Sequence, residues 1–444
     1  MTLLILLLAV LALIALINWG KVNAFIAFLL VSMGVGLALG LPPDKLLAAI
    51  YQGLGDTLGS VVIVIVLGAM LGKIVADSGA AQQMAAVMMQ TFGSKYIQWT
   101  LMLTGLVVGI PLFYNVGFVL MVPLIFSVVY KYKLPAVYVG LPMLASLSVM
   151  HGFLPPHPAP TALVAQFKAS IGLTFGYGLL IAIPALILAG PVYASTLRGI
   201  VSVPLATFVA DTRPDSALPN RLNSFLSSLL PVVMLAVVLG LEALLPATSP
   251  LAPYLKFLGE PSVVLLLSVL VATFSLGTAQ GKTLPAVMDA YGASVKDIAM
   301  ILLIIGGAGT LKQVLVASGV SAEIAAGLQG TGLPPLLLGW LLAAIIRVCL
   351  GSATIAGLTA AGVMLPTMAH SHTNPNLMVL AIGAGSLALS HFNDGGFWLF
   401  KEYFNLSTKD TLRSWTVMET IVSVVGLLGV LLLDWALPLL GRAA

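Results

Sequence analysis

SLSVMHGFLPPHPAPT, residues 146–161, lies between two apolar runs and decides how the rest of the chain is read. It holds two histidines, four prolines and no formal charge. Proline removes a backbone donor and breaks a helix. In lipid an unsatisfied backbone group is costly, so irregular backbone is tolerated only inside protein or beside a water-filled cavity. A break here points to a buried polar junction.

The surroundings make that reading necessary. Of 444 residues, 60% are hydrophobic and 8% charged, against roughly 25% charged in a soluble domain. Apolar runs recur at 22–41, 58–76, 172–193 and 417–440, each near the about 20 residues a span requires. The expected fold class is an all-α polytopic membrane protein, since a transmembrane barrel shows short alternating strands instead. The net charge of +4 is scattered and leaves no nucleic-acid footprint. The single cysteine, Cys349, excludes an intrachain disulfide and has no metal-ligand neighbours. The first 21 residues lack a basic start and a cleavage site, so they read as a retained first span.

The polar segment 195–223 divides the chain into a first membrane repeat (1–194), a central cytoplasmic loop (195–223) and a second membrane repeat (224–444). Four features recur in the same order near an offset of 240 residues. DTLGSVVIVIVLGAMLGK starts at Asp56 and DIAMILLIIGGAGTLK at Asp297; Ser78-Gly79 answers Ser318-Gly319; Trp99 answers Trp340; and Ser146-Leu147-x-x-x-His151 answers Ser386-Leu387-x-x-x-His391. Segments 99–130 and 336–369 read as helical hairpins. Lys21, Lys95, Lys131, Lys133, Arg198, Arg213, Arg221, Lys282, Lys296, Lys401, Lys409 and Arg413 then share one side, while Lys45, Lys168, Lys256 and Arg442 share the other. The crowded side is cytoplasmic by charge bias. Each half then has an odd number of spans, so the halves are inverted, a recurrent design of secondary transporters with broken helices.

Four segments carry candidate chemistry. GIPLFYNVGF (109–118) puts Pro111, Tyr114 and Asn115 at the middle of the first hairpin. The alternative there is a kinked span with Asn115 bonded to a neighbouring helix. RVCLGSATIAG (347–357) puts Gly351, Ser352 and Thr354 at the tip of the second, where a helix starting at Ser352 aims free N–H groups at an anion. Arg347 is a permanent charge four residues earlier, and an intramembrane ionisable residue is a functional candidate by default; the alternative is a structural ion pair. The opening stretch and its partner SHFNDGGFWLF (390–400) are the other two. Both breaks follow the repeated histidine, so the two enclose one cavity if they meet on the repeat axis. His151 and His391 are either proton sites or core histidines bonded to carbonyls. Asp394 stands at the centre of a broken span, in a pairing or proton-carrying role. Lys73 and Lys312 read as snorkelling near helix ends. Phe397, Trp398, Phe400 and Trp415 read as an interface belt. Gly53-Leu54-Gly55-Asp56 spells an intramembrane-protease GxGD without its partner motif. No Walker A, H-E-x-x-H or G-x-S-x-G is present. Neither an enzyme, a metal site nor a cofactor is expected.

These segments resemble the gluconate:proton symporter family, the gluconate permeases of bacteria, which also includes idonate, fructuronate and D-serine transporters. The resemblance covers nearly the whole chain through GAMLGKIVADSGAAQ, LFYNVGFVLMVPL, SVMHGFLPPHPAPTA, LLIIGGAGTLKQVLVASGV, IRVCLGSATIAGLTAAG and SHFNDGGFWLFKEYFNL. It implies a multi-pass protein of the bacterial inner membrane that imports gluconate or a related sugar acid with protons. The alternatives are a small hydroxylated carboxylate such as D-serine, or sodium coupling. By fold analogy, inverted repeats with re-entrant hairpins form a moving transport domain, and a homodimer is an expected state. Expected substrate contacts are Asn115, Arg347, Gly351, Ser352, Thr354, Ser390 and Asn393. Expected proton-coupling residues are Asp394, His151 and His391. One departure stands out: similar family members often carry a glutamate where this chain has Asn115. If that acid carries the proton, coupling here rests on Asp394 or a histidine, or it differs.

Overall fold

The computed structural model describes residues 2–109, 114–155, 157–203, 205, 213–245, 249–320, 323, 332–369, 371 and 373–440. Pro111 of the first hairpin, Pro156 of the opening stretch, Asp211 of the central segment and Arg442 lie outside the described residues. Among the described residues every regular element is helical. The first half runs α1 (Thr2–Ile14), α2 (Ala24–Ala38), α3 (Pro43–Asp77), α4 (Ala80–Phe92), α5 (Ile97–Gly109), α6 (Tyr114–Tyr132), α7 (Ala136–Phe153), α8 (Pro158–Gln166), α9 (Ile171–Ile187) and α10 (Tyr193–Ser195). The second runs α11 (Arg221–Leu244), α12 (Ala252–Leu258), α13 (Pro261–Ala272), α14 (Leu284–Ala317), α15 (Pro335–Leu350), α16 (Ala353–Ala369), α17 (Pro375–Gly385), α18 (Gly395–Tyr403), α19 (Thr408–Thr411) and α20 (Val417–Leu440).

Local chemistry sets many of these boundaries. Proline occupies the first turn of α3, α8, α14, α15 and α17, where its missing N–H costs nothing. Asn23, Ser170, Asn220, Thr283, Asn374 and Ser407 accept a backbone N–H as N-caps.

Among the described residues, eight helical stretches are long and apolar enough to cross a membrane. Their burial separates core from periphery. The apolar window of α7 is 94% buried, whereas that of residues 171–195 is only 33% buried and presents Leu180 and Ile183 outward. An apolar outer surface of this extent requires lipid, so the chain is a multi-pass membrane protein.

The longest helices, α3 and α14, form the most extensive pairing. They run antiparallel: Gln313 near the end of α14 donates to Gln52 near the start of α3 at 3.1 Å. The close approach is made by glycine. A Cβ on Gly309 would lie 2.1 Å from Thr57 Oγ1 and 2.6 Å from the Gly53 carbonyl. Gly53 of the GxGD string is thus a packing residue. The corresponding hairpins differ. α15 packs on both α16 and α17, while α5 packs mainly on α7 and little on α6.

Phe397, Trp398, Phe400 and Trp415 do not form an interface belt, because all four are at most 2% exposed. Phe400 stacks on Trp415 with ring centroids 5.5 Å apart, and Trp398 Nε1 donates to the Phe392 carbonyl at 2.6 Å. Lys73 pairs with Asp77 at 3.0 Å, one turn along α3.

Candidate functional site

The site begins where α15 stops. Gly351 adopts φ +71°, the left-handed conformation that ends a helix, and its N–H returns to the Arg347 carbonyl at 2.8 Å. A Cβ there would lie 2.0 Å from the Asn393 carbonyl oxygen. Only glycine satisfies both constraints. Ser352 then caps α16: its hydroxyl accepts the Ile355 N–H at 3.4 Å and its carbonyl the Ala356 N–H at 3.0 Å. The first N–H groups of a 17-residue helix therefore start at this tip.

The break between α17 and α18 is built against the same tip. Helix ends leave orphan carbonyls, and Asn393 Nδ2 donates to two of them, Val348 at 2.7 Å and Cys349 at 3.0 Å. His391 Nε2 also bonds the Val348 carbonyl at 3.1 Å. Asp394 caps α18, accepting the Gly396 N–H on Oδ1 at 3.0 Å. Its Oδ2 meets Arg347 Nη2 at 2.5 Å and accepts the Ser390 hydroxyl. Ser390 is held in turn by Trp415 Nε1 at 2.7 Å and by Thr416 Oγ1 at 2.5 Å on its carbonyl. Trp415 and Thr416 come from a π-turn, Leu412–Thr416, a device that re-aims side chains within a helix.

These groups border a cavity of about 510 Å³, within the range of small-molecule sites. Asn115, His151, Arg347, Gly351, Ser352, Thr354, Asn393 and Asp394 all line it, so the structure brings together most of the residues expected from sequence. Ser390 and His391 do not line it. Ser390 braces Asp394 from behind, and His391 is a core histidine on a carbonyl. The repeated histidines therefore differ in position. His151 faces the cavity with Nδ1 lacking a partner, its ring 6.2 Å from that of Tyr114 and 5.8 Å from that of His157.

Sequence does not single out four other lining residues, Thr57, Ser60, Ser148 and Glu419. Lys312 lies near a helix end as expected, but it lines the cavity. It sits on the α14 face toward α3, five residues before that helix stops. Glu419 is 2% exposed and accepts the Ser148 hydroxyl at 2.5 Å. The signal for it was present, since a carboxylate in an apolar span is a functional candidate by default.

Arg347 is 4% exposed, and only Nη2 is paired; Nε and Nη1 have no hydrogen-bond partner. A buried guanidinium with unmet donors is costly unless a further acceptor completes it. An anion with planar oxygens fits that need.

A GntP family permease profile matches residues 1–436. The high-affinity gluconate transporter of Escherichia coli (strain K12) is 48% identical over 98% of this chain and 99% of its own. The chain belongs to the GntP permease family. The Gnt-II system L-idonate transporter of the same organism is 47% identical over 93% of this chain and 94% of its own. The gluconate permease of Bacillus subtilis (strain 168) is 42% identical over 98% and 99%. Among solved structures, the Alcanivorax borkumensis YdaH transporter aligns with 94% of this chain and 98% of its own at TM-score 0.44 and 19% identity. The family is the one the motifs of the sequence resemble, and it is a family of permeases, not enzymes. Among the described residues of this GntP permease, no group of three or more His, Cys, Asp or Glu side chains is arranged to hold a metal.

Proposed function

We propose that this permease imports gluconate, or a closely related sugar acid, in symport with protons. The observation that carries the reading is Arg347: a buried guanidinium on the cavity wall, half satisfied by Asp394 and otherwise unpaired. The substrate carboxylate completes it, next to the N-terminus of α16 at Ser352 and Thr354, whose free N–H groups favour an anion. The hydroxyls of a sugar acid meet Asn115 and the unpaired Oδ1 of Asn393. Gly351 lets the hairpin tip reach the opposite break, and Ser390 holds Asp394 in place for Arg347. The names carried by the relatives support gluconate as the substrate.

Proton coupling lets an anion enter against a potential negative inside. Of the groups expected to carry the proton, His151 stands on the cavity, Asp394 is engaged by Arg347, and His391 lies behind the wall. The antiparallel course of α3 and α14, which occupy equivalent places in the two halves, supports an inverted arrangement of 1–194 and 224–444 about the segment 195–223.

The test is uptake of labelled gluconate by transporter-deficient cells expressing the chain, with unlabelled sugar acids and D-serine as competitors, with and without a protonophore. Uptake blocked by gluconate and by the protonophore is expected. Uptake blocked by D-serine alone would move the substrate, and uptake that follows sodium and ignores the protonophore would move the coupling ion.

A further inference from the structure

Two carboxylates border the cavity, and their surroundings are opposite. Asp394 meets three donors: Arg347, the Ser390 hydroxyl and the Gly396 N–H. Glu419 has one, the Ser148 hydroxyl at 2.5 Å, and its Oε2 has no hydrogen-bond partner. Among the described residues no cation lies within ion-pair distance of it. It stands one turn after Trp415 at the start of α20, so it is tied through Trp415 and Ser390 to the Arg347–Asp394 pair. A buried carboxylate without a partner is far more costly than the neutral acid. Environments this different assign different tasks to two acids in one site.

We propose that Glu419 carries the coupling proton, with Ser148 positioning its carboxyl, and that Asp394 stays ionised as the fixed partner of Arg347. This rests on the proton-symport reading above. The titratable and charged groups that face Glu419 around the cavity are Tyr114, His151, Arg347, Asp394 and, from α14, Lys312. An anion bound at Arg347 adds negative charge beside Glu419 and favours its protonated form. By linkage, a proton on Glu419 favours the bound anion by the same factor. Coupling then needs no contact between proton and substrate. Each enters the site more readily when the other is present, and both leave together.

The experiment uses purified protein in proteoliposomes carrying an internal pH dye. Wild type is expected to take up protons when gluconate is added outside, and its gluconate affinity is expected to fall as pH rises. In Glu419→Gln, gluconate-driven proton uptake is expected to vanish, and affinity is expected to become independent of pH, while gluconate counterflow persists. A Glu419→Gln protein that still moves protons with gluconate overturns the assignment alone. Wild type that moves gluconate without protons overturns the symport reading with it. Should Glu419→Gln fail to fold, Ser148→Ala decides: a displaced pH profile of gluconate affinity is expected, and an unchanged profile overturns the assignment.

Discussion

Arg347 is paired, buried and only partly satisfied, and this sets how its neighbourhood responds to substitution. Asp394→Asn does not simply remove a proton site. It leaves a guanidinium uncompensated in a low-dielectric wall, at a cost of about 3–5 kcal/mol. We expect a matching loss of thermal stability in detergent and loss of gluconate exchange as well as accumulation. Exchange at wild-type rates would show that the pair is dispensable to binding. Arg347→Lys keeps the charge but loses the planar fork. It is expected to stay folded and to raise the KM for uptake by about tenfold or more, the equivalent of about 1.4 kcal/mol; an unchanged KM would remove Arg347 from the substrate site. Both residues were legible in the sequence, because a charge within an apolar span must be paired or functional. Glu419 met the same criterion and was passed over within an otherwise apolar run. No sequence rule separates His151 from His391, since helix packing decides which of two repeated histidines faces a cavity and which caps a neighbouring helix.

At the scale of elements, the proposed site depends on two broken ends meeting. With 13 residues, α5 is about 20 Å long and, with 16, α15 is about 24 Å long, both short of the roughly 30 Å hydrocarbon core. These are lengths suited to hairpins that turn at depth. The tip of the second turns on Gly351. Gly351→Ala forces an L-residue into φ +71°, costing roughly 1–2 kcal/mol, and drives a methyl into the Asn393 carbonyl. Transport is expected to fall below detection while the protein still reaches the membrane; wild-type uptake would mean that the tip and the break need not touch. A different outcome is expected at Gly309, where α3 and α14 touch through backbone. Gly309→Val should cost about 1–3 kcal/mol by overpacking and lower the melting temperature with little change in pH dependence. The Gly-Ser turn and the Asn-Asp-Gly-Gly break were readable from residue types alone. The end of α17 was not. α7 continues through His151 to Phe153, whereas α17 stops at Gly385, six residues before His391. The residues that follow it are drawn out to satisfy the end of α15, a contact some 45 positions away that local pattern does not contain.

For the whole molecule, the charge carried per cycle follows from which groups exchange protons. In the proposed cycle the Arg347–Asp394 pair stays internally neutralised. If Glu419 alone takes up a proton with one gluconate anion, the step moves no net charge. Membrane potential then has no leverage, whereas a second proton, on His151, would give the loaded carrier one net positive charge, and 100 mV would add about 2.3 kcal/mol to the driving force. That is a difference of roughly 50-fold in accumulation, since about 1.4 kcal/mol is a factor of ten. Proteoliposomes separate the cases when a potassium diffusion potential and a pH gradient are imposed in turn. We expect a one-unit pH gradient, acid outside, to drive about tenfold accumulation and a negative-inside potential at equal pH to drive none. Accumulation driven by potential alone would show that more than one proton crosses with each anion, and would bring His151, whose Nδ1 has no partner on the cavity wall, into the transport cycle beside Glu419.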